Sequence, residues 1–259
     1  MQFIEDEFVD DFDLLSKDRK KLIRVIDLIN DSIKTYDKKF SNFLSPSIYE
    51  IIKKYINIDD FNISFLGNER KIMTIYPFYE DVKIKDYPIK AIKLSYNKKF
   101  SNIGHRDVLG TLMSLGIKRD NIGDIAVFND KTFIVVKKNI FDYLKFNFKK
   151  IKNTPISLKE ISYDKIRFPK KKFKKIKTTL KTNRVDAIIS KGFGINRKSS
   201  KKFVINKKVK VNHFLISKPY KDINKGDLIS VKGKGRLILS KKLGLSNKDR
   251  LKVIIKKLI

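Results

Sequence analysis

Apolar positions recur with a helical period near the start of the chain. Leu22, Ile26, Ile29 and Ile33 fall on one face and Arg19, Lys20, Asp27 and Asp31 on the other, which predicts an amphipathic helix. A second helix is predicted from Ser45-Pro46, where serine supplies an N-cap oxygen and proline suits the first turn; Ile48, Ile51, Ile52, Tyr55 and Ile56 would be its buried stripe. From about residue 61 the period drops to two, and Phe61 to Leu66, Lys71 to Tyr76 and Ile89 to Leu94 read as strands. A helix then fits His105 to Leu115, with Leu109, Leu112 and Met113 on its buried face and Gly116 at the left-handed C-cap. Strand patterns follow at Asp124 to Phe128 and Thr132 to Val136, joined as a hairpin across Asn129-Asp130-Lys131. Next come a helix around Asn139 to Phe148 and a strand near Pro155 to Ile161.

The last segment has its own grammar. Thr182 is placed to cap a helix running to about Ser190, which Gly192 and Gly194 would break, and Asn196 to cap another through about Ile205. Lys208 to Asn212 and Asp227 to Lys232 alternate as strands, the latter introduced by the Lys225-Gly226 turn, and a terminal strand is expected around Leu251 to Ile255. The pattern shows no internal repeat. It predicts an α+β protein with an N-terminal helical segment (1–60), a mixed α+β domain (61–165), a basic connector (166–181) and a C-terminal domain with a strand extension (182–259).

Composition adds a partner class. The 259 residues are 41% apolar, enough for packed cores, yet 60 Lys/Arg face 28 Asp/Glu for a net charge of +32. A codon bias towards lysine would load every segment alike, but the formal charge is −3 over 1–60, +8 over 61–150 and +27 over 151–259. In the stretch from Phe168 to Lys177, aromatic and aliphatic residues interrupt the lysines, which reads as a folded basic surface. A polyanionic partner is expected. Without cysteine the chain can form neither disulfides nor a Cys-ligated zinc, which fits a reducing, cytoplasmic setting. The acidic first 13 residues do not resemble a signal peptide, and no apolar run reaches the roughly 18 residues of a membrane span. His105 and His213 lie too far apart in sequence to suggest a histidine metal site, and no cofactor motif stands out.

Four strings in order resemble the S4 RNA-binding domain: Arg184-Val185-Asp186, Asn196-Arg197, Val209-Lys210-Val211-Asn212 and Gly226-Asp227-Leu228-Ile229. Asn196 stands where that family usually has serine, and Lys207 and His213 where glycine is common. In the middle of the chain, Gly104-His-Arg-Asp-Val-Leu-Gly110 and Leu115-Gly-Ile-Lys-Arg-Asp-Asn-Ile-Gly-Asp-Ile125 look like the YlmH family of bacterial S4-domain proteins, with Gly233-Lys-Gly-Arg236 following the S4 strand. The resemblance covers about Phe43 to Arg236. A shortened Leu66-Gly-Asn68 precedes Glu69-Arg70-Lys71, the family's Glu-Arg-Lys. The resemblance implies an RRM-like middle domain and binding of rRNA and tRNA on the large ribosomal subunit. It also implies action on stalled subunits carrying peptidyl-tRNA in ribosome-associated quality control, in support of nascent-chain tailing.

On that reading Arg197, Lys198, Lys201 and Lys202 share one broad helical face that tracks phosphates. Arg184, Lys208 and Lys210 would extend it, Arg236 would add a planar fork, and Asn212 would either join it or form a turn. Asp186 is expected to pair with a cation and orient its helix. His105, Arg106, Asp107, Lys118 and Arg119 make a candidate second contact. His105 and Asp107, two apart on a helix, point to different sides and cannot form a dyad. The chain therefore reads as a non-catalytic, monomeric RNA-binding protein without a membrane segment. The alternative is an S4-bearing RNA-modifying enzyme of the pseudouridine synthase type, whose catalytic Asp would have to come from His105-Arg-Asp107 or Arg184-Val-Asp186.

Overall fold

The stripe of Leu22, Ile26, Ile29 and Ile33 is buried along one face of α1 (Ser16–Thr35), as its 3.6-residue period requires. This computed structural model describes residues 3–12, 14, 16–97, 103–128, 131–246 and 248–259. The chain divides into two compact units. The first runs to Pro169, leaving out Phe12–Leu14; the second takes those three residues and Lys170–Ile259.

In the first unit, β1 (Lys39–Leu44), β2 (Phe61–Leu66) and β3 (Lys71–Pro77) make an antiparallel sheet in the order β1-β3-β2, on which α1 and α2 (Pro46–Tyr55) pack. Thus 1–60, expected to be helical, also supplies a strand. Ser45 precedes α2 with extended backbone, but its hydroxyl bonds Ser47 Oγ at 2.9 Å instead of capping the helix, and Tyr55 of the expected stripe is exposed. A second sheet runs in the order β5 (Ile122–Phe128), β6 (Lys131–Lys137), β4 (Ile89–Ser95), β9 (Ser157–Ile161), all antiparallel. The hairpin tip Asn129-Asp130 lies outside the described residues.

One face of this second sheet, through Ile92, Ile134 and Val136, packs on α3 (His105–Ser114) and α4 (Phe141–Asn147). Its other face, through Ala91, Phe133 and Val135, packs with Phe43 and Ile72 of the first sheet. Burial on both faces explains why β6 is apolar without a break from Phe133 to Val136. On α3 the buried residues are Val108 and Leu112, whereas Met113, expected inside, is 45% exposed. A short pair, β7 (Lys150–Ile151) and β8 (Thr154–Pro155), completes the unit.

The second unit is a six-stranded antiparallel sheet covered on one face by two helices. Its order is β10 (Phe173–Leu180), β15 (Leu251–Leu258), β14 (Gly235–Leu245), β13 (Leu228–Val231), β11 (Val209–Val211), β12 (Phe214–Leu215). Residues expected to be a connector thus form the edge strand β10. Helices α5 (Val185–Phe193) and α6 (Arg197–Ile205) bury Ile188, Ile189 and Val204 against Val209, Ile229, Leu237, Val253 and Ile255. The first of these helices begins later than expected: Arg184, not Thr182, is its N-cap. It also runs through Gly192 and ends at Gly194, whose φ of +66° makes the left-handed cap. Asn196 caps α6 as expected, its Oδ1 accepting the Ser199 N–H at 2.7 Å.

Candidate nucleic-acid interface

Two helix starts converge on one carboxylate. Asp186, in the first turn of α5, is fully buried and accepts hydrogen bonds from Arg184 Nη2 at 3.2 Å, Arg197 Nε at 3.2 Å and Arg197 Nη2 at 3.4 Å. The expected pairing of Asp186 is thus realised with two arginines, which lie at the entries of α5 and α6. Their guanidinium groups stay partly in solvent, with side-chain exposures of 31% for Arg184 and 43% for Arg197. Cations at helix N-termini oppose the helix dipole, and the buried carboxylate offsets this while leaving positive charge at the surface.

Along α6, Arg197, Lys198, Lys201 and Lys202 are all exposed, and the helix contains no acidic residue. Val204 and Ser200 form its inward side; Lys198, Lys201 and Lys202 point away from it, while Arg197, seven residues before Val204, lies at the edge of the inward side against Asp186. Lys208 is exposed just before β11.

Two predicted members lie elsewhere. In β11, Val209 and Val211 enter the core, so Lys210 projects from the sheet face opposite α5 and α6. The same alternation in β14 buries Leu237 and puts Arg236, opposite Ser230, on that far face. The surface read as continuous is therefore split between the two faces of the sheet.

Asn212 forms the turn. It and His213 connect β11 to β12 with φ of +47° and +74°, a two-residue turn with both central residues left-handed. The Asn212 side chain closes the turn, accepting the Leu228 N–H at 2.9 Å and donating to Asp227 Oδ1 at 2.8 Å. His213 and Lys207 (φ +51°) adopt the left-handed backbone where the S4 family commonly has glycine.

The middle-domain candidates gather only in part. Asp107 caps α3 by accepting the Gly104 N–H at 2.9 Å and pairs with Lys152 at 2.8 Å, which together hold its carboxyl below the usual carboxylate range. Arg106 and Lys118 are exposed. His105 is drawn below its ordinary value by desolvation and then by the charge of Arg119.

Arg119 Nη1 donates to the Ile122 carbonyl, which also accepts Arg70 Nε at 3.2 Å, while Arg70 Nη2 reaches the Phe43 carbonyl at 2.6 Å. Burial first, then Arg70, pushes Arg119 down to about 10, so it remains a cation at neutral pH. Beside them Asp124, only 8% exposed, accepts the backbone N–H groups of Asn68, Glu69 and Arg70 at 2.6, 3.0 and 3.0 Å. Arg70 and Asp124 were not among the sequence-derived candidates. Their signal was present in Glu69-Arg70-Lys71 and in the Gly123-Asp124 that ends the middle string.

Among the described residues no cluster of three or more His, Cys, Asp or Glu could hold a metal ion, and no helix is long and apolar enough to cross a membrane.

Residues 83–165 match the family described as "Putative RNA-binding domain in YlmH". The chain is 28% identical over 222 residues to the Bacillus subtilis "Ribosome-associated protein quality control protein P2", across 84% of this chain and 86% of that protein. It is also similar to the solved structure of "Cell division protein ylmH from Streptococcus pneumoniae", with 25% identity, a TM-score of 0.49, and coverage of 60% of this chain and 97% of the other. The family match across α3 and the sheet it packs on, and the relative that spans most of the chain, make this chain similar to YlmH-type proteins.

Proposed function

We propose that the chain is a non-catalytic RNA-binding factor of the large ribosomal subunit, acting on stalled subunits that carry peptidyl-tRNA. Residues 182–259 serve as its S4 module and 61–165 as its RRM-like domain. The observation that carries the reading is α6, where Lys198, Lys201 and Lys202 stand exposed on the outer face of an acid-free helix whose first residue, partly exposed Arg197, is held by buried Asp186. Such a face tracks phosphates by charge and fixes orientation by its rigid mounting. Arg184 and Lys208 flank it, and Arg106, Lys118 and Arg119 offer a second cationic contact from the first unit. The printed name of the Bacillus subtilis relative supports a place in ribosome-associated quality control.

Binding without catalysis is favoured by the two candidate carboxylates. Asp107 is committed to its helix cap and Lys152, and Asp186 is sealed under two arginines, so neither is presented as a nucleophile.

The test is co-sedimentation with small subunits, large subunits, 70S ribosomes and large subunits carrying peptidyl-tRNA, at two salt concentrations. Preferential, salt-resistant binding to large subunits, greatest with peptidyl-tRNA, is expected. The triple substitution Lys198→Ala, Lys201→Ala and Lys202→Ala should weaken that binding and flatten its salt dependence by about 2 units of slope, at 0.7 to 0.9 per lost phosphate contact. Equal binding to all four particles, or an unaffected triple variant, refutes the proposal.

A further inference from the structure

The face of the six-stranded sheet turned away from α5 and α6 is rich in cations. Strands β10, β15, β14, β13 and β11 contain ten Lys or Arg and not one Asp or Glu. In β10, Ile176 and Leu180 pack on the core, so Lys175 and Lys177 point to the far face, and both are exposed. In β15, Val253 and Ile255 pack on the core, so Lys252 and Lys256 share that far face. The register sets Lys175 directly opposite Lys256, a cross-strand pair of like charges that destabilises the sheet in isolation. Lys210 and Arg236 continue the same face towards the other edge.

We infer that this far face is a second RNA-binding surface, which takes the phosphate backbone of a double-stranded RNA segment; the choice of RNA rests on the function proposed above. Charge complementarity identifies the occupant. Opposed lysines on strands that contain no acid lose their repulsion when phosphates lie between them. The duplex is favoured over a single strand because the far face offers no row of aromatic rings on which bases could stack. Its one aromatic in β10, Phe173, lies at the end of that strand, with the Lys256 ammonium 5.8 Å from its ring centre. The rest of the face is aliphatic or small, with Ile238, Ile254 and Ser230 half-buried between the lysines. A flat array of point charges suits the recognition of duplex RNA by backbone and shape. The protein would then hold RNA on both sides of one sheet, with α6 on one side and the strand lysines on the other.

The test compares three full-length proteins: wild type, the sheet variant (Lys175→Ala, Lys177→Ala, Lys252→Ala, Lys256→Ala) and the helix variant (Lys198→Ala, Lys201→Ala, Lys202→Ala). Binding to an RNA duplex of about 20 base pairs is titrated at several salt concentrations, with thermal unfolding of each protein alongside. The sheet variant should bind more weakly, with a salt slope shallower by about 3 to 4 if all four lysines contact phosphates. It should unfold at an equal or higher temperature, because repulsion has been removed. Replacing the same four lysines by arginine should keep the slope. A sheet variant that binds the duplex as wild type does overturns the inference, and if the helix variant is then impaired the function proposed above stands alone. An impaired sheet variant beside an unaffected helix variant keeps this surface and refutes the α6 reading. Loss confined to vesicles of anionic phospholipid, with duplex binding intact, overturns the inference in favour of a membrane surface.

Discussion

Replacing Asp186 by Asn keeps the shape of the side chain and removes the charge on which two helix starts are built. The carboxylate is fully buried and takes three N–H bonds from Arg184 and Arg197. Breaking a buried ion pair by removing one partner costs about 3–5 kcal/mol when the orphaned charge stays buried. Here the orphans are side chains 31% and 43% exposed, which can rehydrate, so the expected cost falls to about 2–3 kcal/mol. Part of it is the loss of an acidic group from the first turn of α5, worth about 0.3–1 kcal/mol. For a unit the size of 170–259 this lowers the melting temperature by about 10–20 °C. Urea unfolding of the full chain measures the change, and amide exchange in α5 and α6 assigns it to the second unit. Arg197→Met and Asp186→Asn together should cost clearly less than the sum of the two singles, since both delete the same contact. A stability change below about 0.5 kcal/mol for Asp186→Asn would refute the reasoning, because it would mean that desolvation of the carboxylate cancels everything the arginines return.

Other parts of the molecule yield sharper or smaller effects. Asp124→Ala strands three backbone N–H groups in the 68–70 loop and should cost about 2–4 kcal/mol, with exchange protection lost first at Asn68 to Arg70. Gly192→Ala would drive a methyl group into both terminal carbons of buried Leu237 and should cost about 1–3 kcal/mol in unfolding experiments. His213→Gly should stabilise the chain by up to about 1 kcal/mol, since it relieves a left-handed backbone at φ +74°; an unchanged unfolding midpoint would show that the turn carries no strain. Because the folded state holds His105 below its ordinary 6.5, the neutral ring is the favoured form. Stability from this group is full above pH 6.5 and is lost as pH falls through the lowered value. His105→Gln should remove that part of the acid sensitivity in pH-dependent unfolding, without moving the neutral-pH midpoint greatly.

Local chemistry was readable wherever a single segment decides its own structure. The period of Leu22, Ile26, Ile29 and Ile33 and the cap of Asn196 depend on neighbours three or four residues away, and both are as the pattern predicts. The strands β1, β10 and β14 were missed for the opposite reason. Lys-rich Phe173–Leu180 and the outer half of Gly235–Leu245, exposed on both faces, show no clean period of two; their backbone pairs only because β15 supplies a partner from far along the chain. Thr182 illustrates the limit at a helix start, since a residue suited to capping cannot show that Arg184 will take the position two residues later.

The same division holds for the candidate sites. That 151–259 would be the basic part followed from residue type and order alone, because charge belongs to the residues themselves. The resemblance set Arg184, Asp186 and Arg197 at helix starts, and Asn212, open between RNA contact and a turn, makes the turn. The meeting of Arg70, Arg119 and Asp124 needed the tertiary fold, since their bonds join segments more than 50 positions apart. So did the separation of Lys210 and Arg236 from α6. Alternation along a strand tells which residues share a face, but only the packing of helices on one side of the sheet decides which face becomes core and which remains open to a partner.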